Sequence, residues 1–60
     1  MIEKFKLSSG KEISFYVYVS GKGDYIHISK SKNNMSTEDI TMFTREINSS
    51  RKVLSIVFEK

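Results

Sequence analysis

Strict alternation of apolar and polar residues marks a pair of strands around a glycine-rich turn. In residues 12–19 the odd positions are aliphatic or aromatic, and the even positions are polar or hold Tyr16 and Tyr18. A period of two is typical of a β-strand with one buried face. Residues 24–30 repeat the pattern and predict a further strand, and residues 2–7 predict a first strand before both.

The turn between the second and third predicted strands indicates how they pair. If Lys22-Gly23 is a two-residue loop, Val19 pairs with Ile26 and Tyr18 pairs with His27. Aliphatic residues then meet aliphatic residues across the hairpin, and a slip of one residue would destroy this matching. We therefore interpret the glycines of this segment as a hairpin turn, because they lack the spacing of a phosphate-binding loop.

A helix with a marked start is predicted after the third strand. Ser36 is suited to cap it, and Asp39 lies three residues later, as in a capping box. Apolar residues then recur at spacings of three and four, which predicts a helix over residues 37–48. The apolar stripe that would face the sheet consists of Ile40, Phe43 and Ile47.

The remaining sides of this helix are predicted to face solvent. Its charged residues form the expected solvated side: Glu38, Asp39, Arg45 and Glu46. Met42 lies opposite the apolar stripe, where an exposed thioether would suit a protein contact.

Residues 51–59 predict a fourth strand that is apolar on both faces. The fold class is therefore α+β, in the order β-β-β-α-β: an antiparallel meander, one helix packed on one face, and a C-terminal fourth strand. The lysines Lys4 and Lys6 suit a sheet edge, which favours a fourth strand beside the third. Pairing parallel to the first strand is the alternative. Residues 1–60 form a single domain.

In that fourth strand, two sets of residues are assigned to opposite faces of the sheet. Leu54, Ile56 and Phe58 are expected in the core, and Val53 and Val57 on the other face; because the strand is apolar on both faces, the opposite orientation stays open.

One helix can cover only one face of a four-stranded sheet, so the opposite face stays open. Aromatic rings on an open sheet, flanked by lysines, are suited to stack unpaired bases and hold phosphates. The residues predicted to bind nucleic acid or another partner are Tyr16, Tyr18, Tyr25, His27, Lys4 and Lys6.

Two functions fit this face, and a third reading involves no ligand. The first is a small non-enzymatic regulatory protein that binds single-stranded nucleic acid. The second is a protein-binding inhibitor or antitoxin-like effector that uses the same face or a strand edge to block a host protein. The third is that tyrosine simply favours strands.

Composition excludes several classes of site. The 60 residues contain no cysteine and one histidine, so disulfides, thiolate metal sites and histidine clusters are excluded, and we expect no metal or cofactor. His27 could act as a base in a small ribonuclease, but nothing in the spacing brings Arg45 or Arg51 to it to stabilise the transition state, so we expect no catalytic residues. A domain this small buries only about 60% of its unfolded surface, and a homodimer is the remaining means of stabilising it.

Charge and hydropathy give weaker indications of setting. The net charge of +3 permits a nucleic-acid partner without demanding one. No apolar run is long enough to span a membrane, and no signal region follows the first residues, which predicts a cytoplasmic protein. The chain has no alanine, glutamine, proline or tryptophan and is rich in lysine and isoleucine. Such usage fits an AT-rich gene of a phage or mobile element.

Overall fold

The computed structural model describes residues 1–19, 21 and 23–60, which form four strands and one helix. This α+β order confirms the predicted β-β-β-α-β arrangement. The elements are β1 (Ile2–Lys6), β2 (Glu12–Val19), β3 (Ile26–Ser31), α1 (Thr37–Ser50) and β4 (Val53–Glu59). Lys22, half of the two-residue loop predicted between β2 and β3, lies outside the described residues.

The sheet has the order β1-β2-β3-β4, so β1 and β4 are its two edges. The first three strands are antiparallel neighbours, and β4 lies parallel to β3 after the crossover through α1. The predicted hairpin register is confirmed, because Val19 pairs with Ile26 and Tyr18 pairs with His27. The expected position of the fourth strand beside the third is also confirmed.

The core lies between α1 and one face of the sheet, and Phe43 is at its centre. This ring has no solvent exposure, and it makes edge contacts with the rings of Phe5, Phe15 and Phe58 at centroid distances of 6.2, 5.3 and 6.2 Å. Edge-to-face pairs of this kind add to the stabilisation from area burial. The buried residues are Leu7, Ile13, Phe15, Val17, Ile28, Phe43 and Ile47.

The helix begins at the capping box that the sequence predicts. The Ser36 hydroxyl accepts the Asp39 N–H at 3.1 Å, and the Asp39 carboxylate accepts the Ser36 N–H at 3.4 Å. These bonds satisfy two N–H groups that a helix start leaves without partners. The helix extends two residues beyond the predicted end, to Ser50. Within the described part of the chain, no helix is long and apolar enough to cross a membrane.

One flank of the helix is fastened to the turn between β1 and β2, contrary to the prediction of a solvated side. Glu46 accepts the Ser8 hydroxyl at 2.6 Å and the Ser8 N–H at 2.9 Å. The Asp39 carboxylate accepts the ammonium of Lys11 at 2.6 Å. Met42, predicted to be exposed, instead packs against the core. This flank therefore faces the β1–β2 turn, whose Ser8 and Lys11 bond to Glu46 and Asp39.

A third polar contact joins the end of the helix to the edge strand. The guanidinium of Arg51 donates to both carboxylate oxygens of Glu3, at 2.7 and 3.2 Å. A bidentate pair has more fixed geometry than a single ion contact. Contacts of Glu3, Asp39 and Glu46 therefore join the helix to β1 and the adjoining turn along its whole length.

These three contacts predict a loss of stability in acid. The bond from Arg51 lowers the pKa of Glu3, the bond from Lys11 lowers that of Asp39, and the Ser8 hydroxyl and N–H lower that of Glu46. Because the folded pKa values lie below the unfolded ones, stabilisation is complete above about pH 4.5 and is lost as the pH falls through the folded values. The melting temperature, followed by circular dichroism, should fall steadily on acidification through this range.

A matched pair of variants assigns this acid response to the contacts. Glu46→Gln removes a carboxylate bonded to Ser8 of the β1–β2 turn, and should reduce the dependence of melting temperature on pH. Glu38→Gln removes an exposed carboxylate from the same helix and should leave that dependence close to wild type. A melting temperature that stays constant down to about pH 2 would contradict the prediction.

The start of β4 contains an irregularity that changes which residues face the core. Ile26 pairs with Val53, but its neighbour His27 pairs with Ser55, so Leu54 is an extra residue on β4. Such a bulge reverses the alternation of side chains on one side of it. The predicted assignment was therefore wrong for two residues: Val53 packs against the core, and Leu54 is 59% exposed. Ile56 and Phe58 pack against the core as expected, and Val57 is exposed.

Candidate nucleic-acid interface

The face of the sheet opposite α1 is named the open face. Its members follow from the strand pairing, since residues directly opposite each other point to the same side. In each strand they alternate with residues that face the helix. The open face consists of Ile2, Lys4, Lys6, Glu12, Ser14, Tyr16, Tyr18, His27, Ser29, Ser31, Ser55, Val57 and Glu59.

Two tyrosines give this face its main ligand-binding potential. Tyr16 and Tyr18 are successive same-face residues of β2, with exposures of 52% and 56%. Residues two apart on a strand are separated by about 7 Å. Both rings therefore stand side by side on an inner strand, and both offer more than half of their surface to a partner.

His27 lies beside Tyr18 and is held in place by a residue of β4. Tyr18 and His27 are direct cross-strand partners, and His27 in turn lies opposite Ser55. The Nδ1 atom of His27 is 2.8 Å from the Ser55 hydroxyl, which fixes the orientation of the ring. The half-buried ring thus directs its other nitrogen, Nε2, away from that bond, where it is suited to bond a ligand.

The two predicted lysines are both on the open face, but their surroundings differ. Lys4 is exposed and lies opposite Ser14, one row of residues from Tyr16. Lys6 lies opposite Glu12, whose negative charge offsets its own. Lys6 is also one same-face row further from Tyr16 than Lys4 is, which is a step of two residues, or about 7 Å, along the strand. Lys4 is therefore the better placed of the two for a phosphate.

A shallow groove of about 150 Å³ crosses the open face next to Tyr16. Ile2 and Tyr16 are a cross-strand pair at one end of this groove. Serines of β2 and β3 are among its lining residues, and their small side chains leave room between the larger ones. The groove is lined by Ile2, Ser14, Phe15, Tyr16, Ser29, Lys30 and Ser31.

Tyr25 is the one predicted site residue outside the strands. The third strand was predicted to begin at residue 24, but β3 begins at Ile26, so Tyr25 immediately precedes it. Its ring is 47% exposed. The strand pairing that places Tyr16, Tyr18 and His27 on one face does not extend to this residue.

Two members of the open face that contact predicted site residues, Ile2 and Ser55, were not predicted from the sequence. Ile2 could have been predicted, because it is two residues from Lys4 and therefore lies on the same side of β1 as Lys4 and Lys6. Ser55 had no usable signal, because β4 is apolar on both faces and its register depends on the bulge at Leu54.

The helix side of the sheet holds the remaining charged contacts. Arg51 bonds Glu3, which shares its side of β1 with the core residue Phe5. Among the described residues, no group of three histidine, cysteine or acidic side chains is arranged to hold a metal ion.

Comparisons with known proteins give no independent indication of function. The chain matches no family model, no curated protein and no solved structure.

Proposed function

We propose that the protein is a small non-enzymatic regulatory protein that binds single-stranded nucleic acid on the open face. The observation that carries this proposal is the adjacent placement of Tyr16 and Tyr18, each more than half exposed on an uncovered sheet. Every base has a flat face that stacks on an aromatic ring, so two neighbouring rings suit two bases of an unpaired strand. Such stacking contributes about 1–3 kcal/mol per base.

The groove beside Tyr16 suits a base edge. A base stacked on Tyr16 would lie over the serine hydroxyls of Ser14 and Ser29 and against the aliphatic side chain of Ile2. A hydroxyl both donates and accepts hydrogen bonds, so these serines accommodate different bases without strong selection. The expected preference is therefore for unpaired strands in general and not for one sequence.

The charge distribution predicts weak salt dependence for a nucleic-acid binder. Lys4 lies next to the groove, and Lys6 is offset by Glu12, so at most two phosphates are neutralised on the face. Two phosphate contacts correspond to a log–log salt slope of about −1.4 for single strands. Raising the salt fourfold should then weaken binding roughly sevenfold.

Titration of fluorescently labelled oligonucleotides at low and moderate salt tests this proposal directly. The wild-type protein should bind mixed-sequence single strands with the slope given above, and should bind duplexes of the same sequence more weakly. Lys4→Ala should reduce the slope by about 0.7, the contribution of one phosphate.

A second charge variant provides the matched control for this titration. Arg45→Ala removes one positive charge from the exposed outer side of α1, away from the open face. It should leave both the affinity and the slope close to wild type. If Arg45→Ala and Lys4→Ala weaken binding equally, binding follows net charge and not this face. Absence of binding even at low salt would refute the proposal.

A protein partner is the second candidate, and the apolar rim of the open face favours it. Ile2 and Val57 are 62% and 52% exposed at opposite edges of the row that contains Tyr16. Exposed apolar residues around tyrosines are typical of protein interfaces, where charged residues are few. An inhibitor that docks through this face would lose affinity for its target in Ile2→Lys and Val57→Lys, with little dependence on salt.

A further inference from the structure

The residues of the open face lie in rows that cross the sheet from β1 to β4. Lys4 is at the β1 end of one row, and Glu59 is at the β4 end of the same row. The adjacent row, beside the groove, consists from β1 to β4 of Ile2, Tyr16, Ser29 and Val57. When the order of these rows is reversed, a positive charge comes over a negative one, an apolar end over an apolar end, and the large Tyr16 over the small Ser29. The open face is therefore complementary to a copy of itself that has been turned over.

We propose that two copies of this chain pack open face against open face, about a twofold axis that runs parallel to the strands. Such an axis turns the second copy over, so that β1 of one copy lies over β4 of the other and β2 lies over β3. Each row then lies over the same row of the second copy in reverse order. Sheets packed in this way are about 10 Å apart, with strand directions within about 30° of each other, so side chains of the two faces interdigitate.

The groove beside Tyr16 receives a ring of the second copy in this arrangement. Tyr16 of one copy lies over Ser29 of the other, and Ser29 lines the groove. The groove has a volume of about 150 Å³, and a cavity of about that volume holds a benzene ring. A buried tyrosine hydroxyl needs a hydrogen-bonding partner, which the hydroxyls of Ser14 and Ser29 can supply. Because of the twofold axis, the same fit occurs twice in the dimer.

The ends of the rows select the direction of the twofold axis. Ile2 comes over Val57 of the second copy, and Lys4 comes over Glu59 of the second copy; all four residues are exposed in the single chain. An axis in the plane of the interface but at right angles to the strands would place each strand over its own copy. Lys4 and Glu59 would then stay at opposite edges of the dimer and could not pair. The opposite charges therefore favour the axis parallel to the strands.

The size of the open face predicts a weak dimer. Four strands about 4.8 Å apart and three rows about 7 Å apart give a projected area of roughly 400 Å² per copy. Stable interfaces bury about 800 Å² of accessible surface per copy, so association is expected only at high micromolar concentration. The second copy covers Tyr16 and Tyr18, so the dimer and a bound oligonucleotide exclude each other, and dilution frees the open face. The dimer does not rest on the nucleic-acid function, since its contacts involve this chain alone.

Measurement of molar mass by light scattering without nucleic acid, from micromolar to near-millimolar concentration, tests the dimer. The wild-type mass should rise from the monomer value of 6.9 kDa toward twice that value. Val57→Lys places a charge against Ile2 of the second copy and should raise the dimer dissociation constant by about tenfold or more. Val19→Lys makes the same change at an exposed valine on the helix side of the sheet and should leave dimerisation unchanged.

A charge exchange tests the direction of the axis. Lys4→Glu alone and Glu59→Lys alone should each raise the dissociation constant by about fivefold, since each places like charges together at two positions of the dimer. The double variant should restore the dimer, because both pairs re-form with reversed charge. Far-ultraviolet circular dichroism verifies that each variant is folded. A wild-type protein that stays monomeric throughout, or equal effects of Val57→Lys and Val19→Lys, would refute the open-face dimer. A double variant that dimerises no better than the single ones would refute the axis parallel to the strands.

Discussion

Phe43→Ala should lower the free energy of unfolding by about 3–5 kcal/mol, as is usual for removal of a fully buried phenylalanine. Phe43 has no exposure and contacts three other rings, so the cavity would open at the one point where the helix and three strands meet. At about 0.05–0.15 kcal/mol per residue, a chain of 60 residues has a total stability of roughly 3–9 kcal/mol. The variant is therefore expected to be largely unfolded. Urea denaturation followed by circular dichroism measures the change.

Two further variants make this expectation specific to Phe43. Phe43→Leu keeps an apolar side chain at the centre of the core but loses the ring contacts, and should show an intermediate loss that remains measurable if Phe43→Ala does not fold. Thr41→Ala changes an exposed position of the same helix and should alter stability by less than about 0.5 kcal/mol. Equal unfolding midpoints for Phe43→Ala and Thr41→Ala would show that the core is not organised around this ring.

The parts of the fold that the sequence predicted correctly are those set by local signals. The hairpin register follows from matching aliphatic with aliphatic residues over a short turn, and a slip would move every side chain to the wrong face. The start of the helix follows from Ser36 and Asp39, which are three residues apart and satisfy each other's backbone groups. Neither signal requires knowledge of the rest of the chain.

The errors concern residues whose surroundings come from distant parts of the chain. Glu46 was assigned to solvent by its polarity, but its partner Ser8 is 38 residues away in sequence. Met42 was judged by its angle to the apolar stripe, whereas in the folded chain it packs against the core residues. Val53 faces the core and Leu54 faces solvent, the reverse of the prediction, because of the bulge in β4. Nothing in a strand that is apolar on both faces indicates where a bulge will occur.

The candidate site shows the same division. Alternation alone placed Tyr16 and Tyr18 together, and the hairpin register added His27. Predicting that Glu12 offsets the positive charge of Lys6 would have required knowledge of how β1 pairs with β2. Predicting the bond between His27 and Ser55 would have required knowledge of how β3 pairs with β4. Which residues of an inner strand share a face can thus be predicted from the sequence, whereas the charges and hydrogen bonds around them depend on how the strands pair.

Replacement of both open-face tyrosines should have the largest effect on oligonucleotide binding. Loss of one stacked base costs about 1–3 kcal/mol, which is roughly a 5- to 150-fold increase in the dissociation constant. The double variant Tyr16→Ala/Tyr18→Ala should therefore show almost no binding in a titration that measures wild-type affinity. Both side chains are more than half exposed, so the fold should survive the change, which a thermal melt verifies.

The double variant Tyr16→Phe/Tyr18→Phe separates stacking from every other role of these residues. It keeps both rings and removes both hydroxyls, so a surface that works by stacking should retain its affinity nearly unchanged. If the phenylalanine and alanine variants lose binding equally, the hydroxyls act as hydrogen-bonding groups and stacking is not the basis of affinity. If both variants bind as the wild type does, the tyrosines serve only the strand, because tyrosine favours strands whether or not a ligand is bound. The three results are distinct, so the function of the tyrosine pair can be decided by measuring affinity alone.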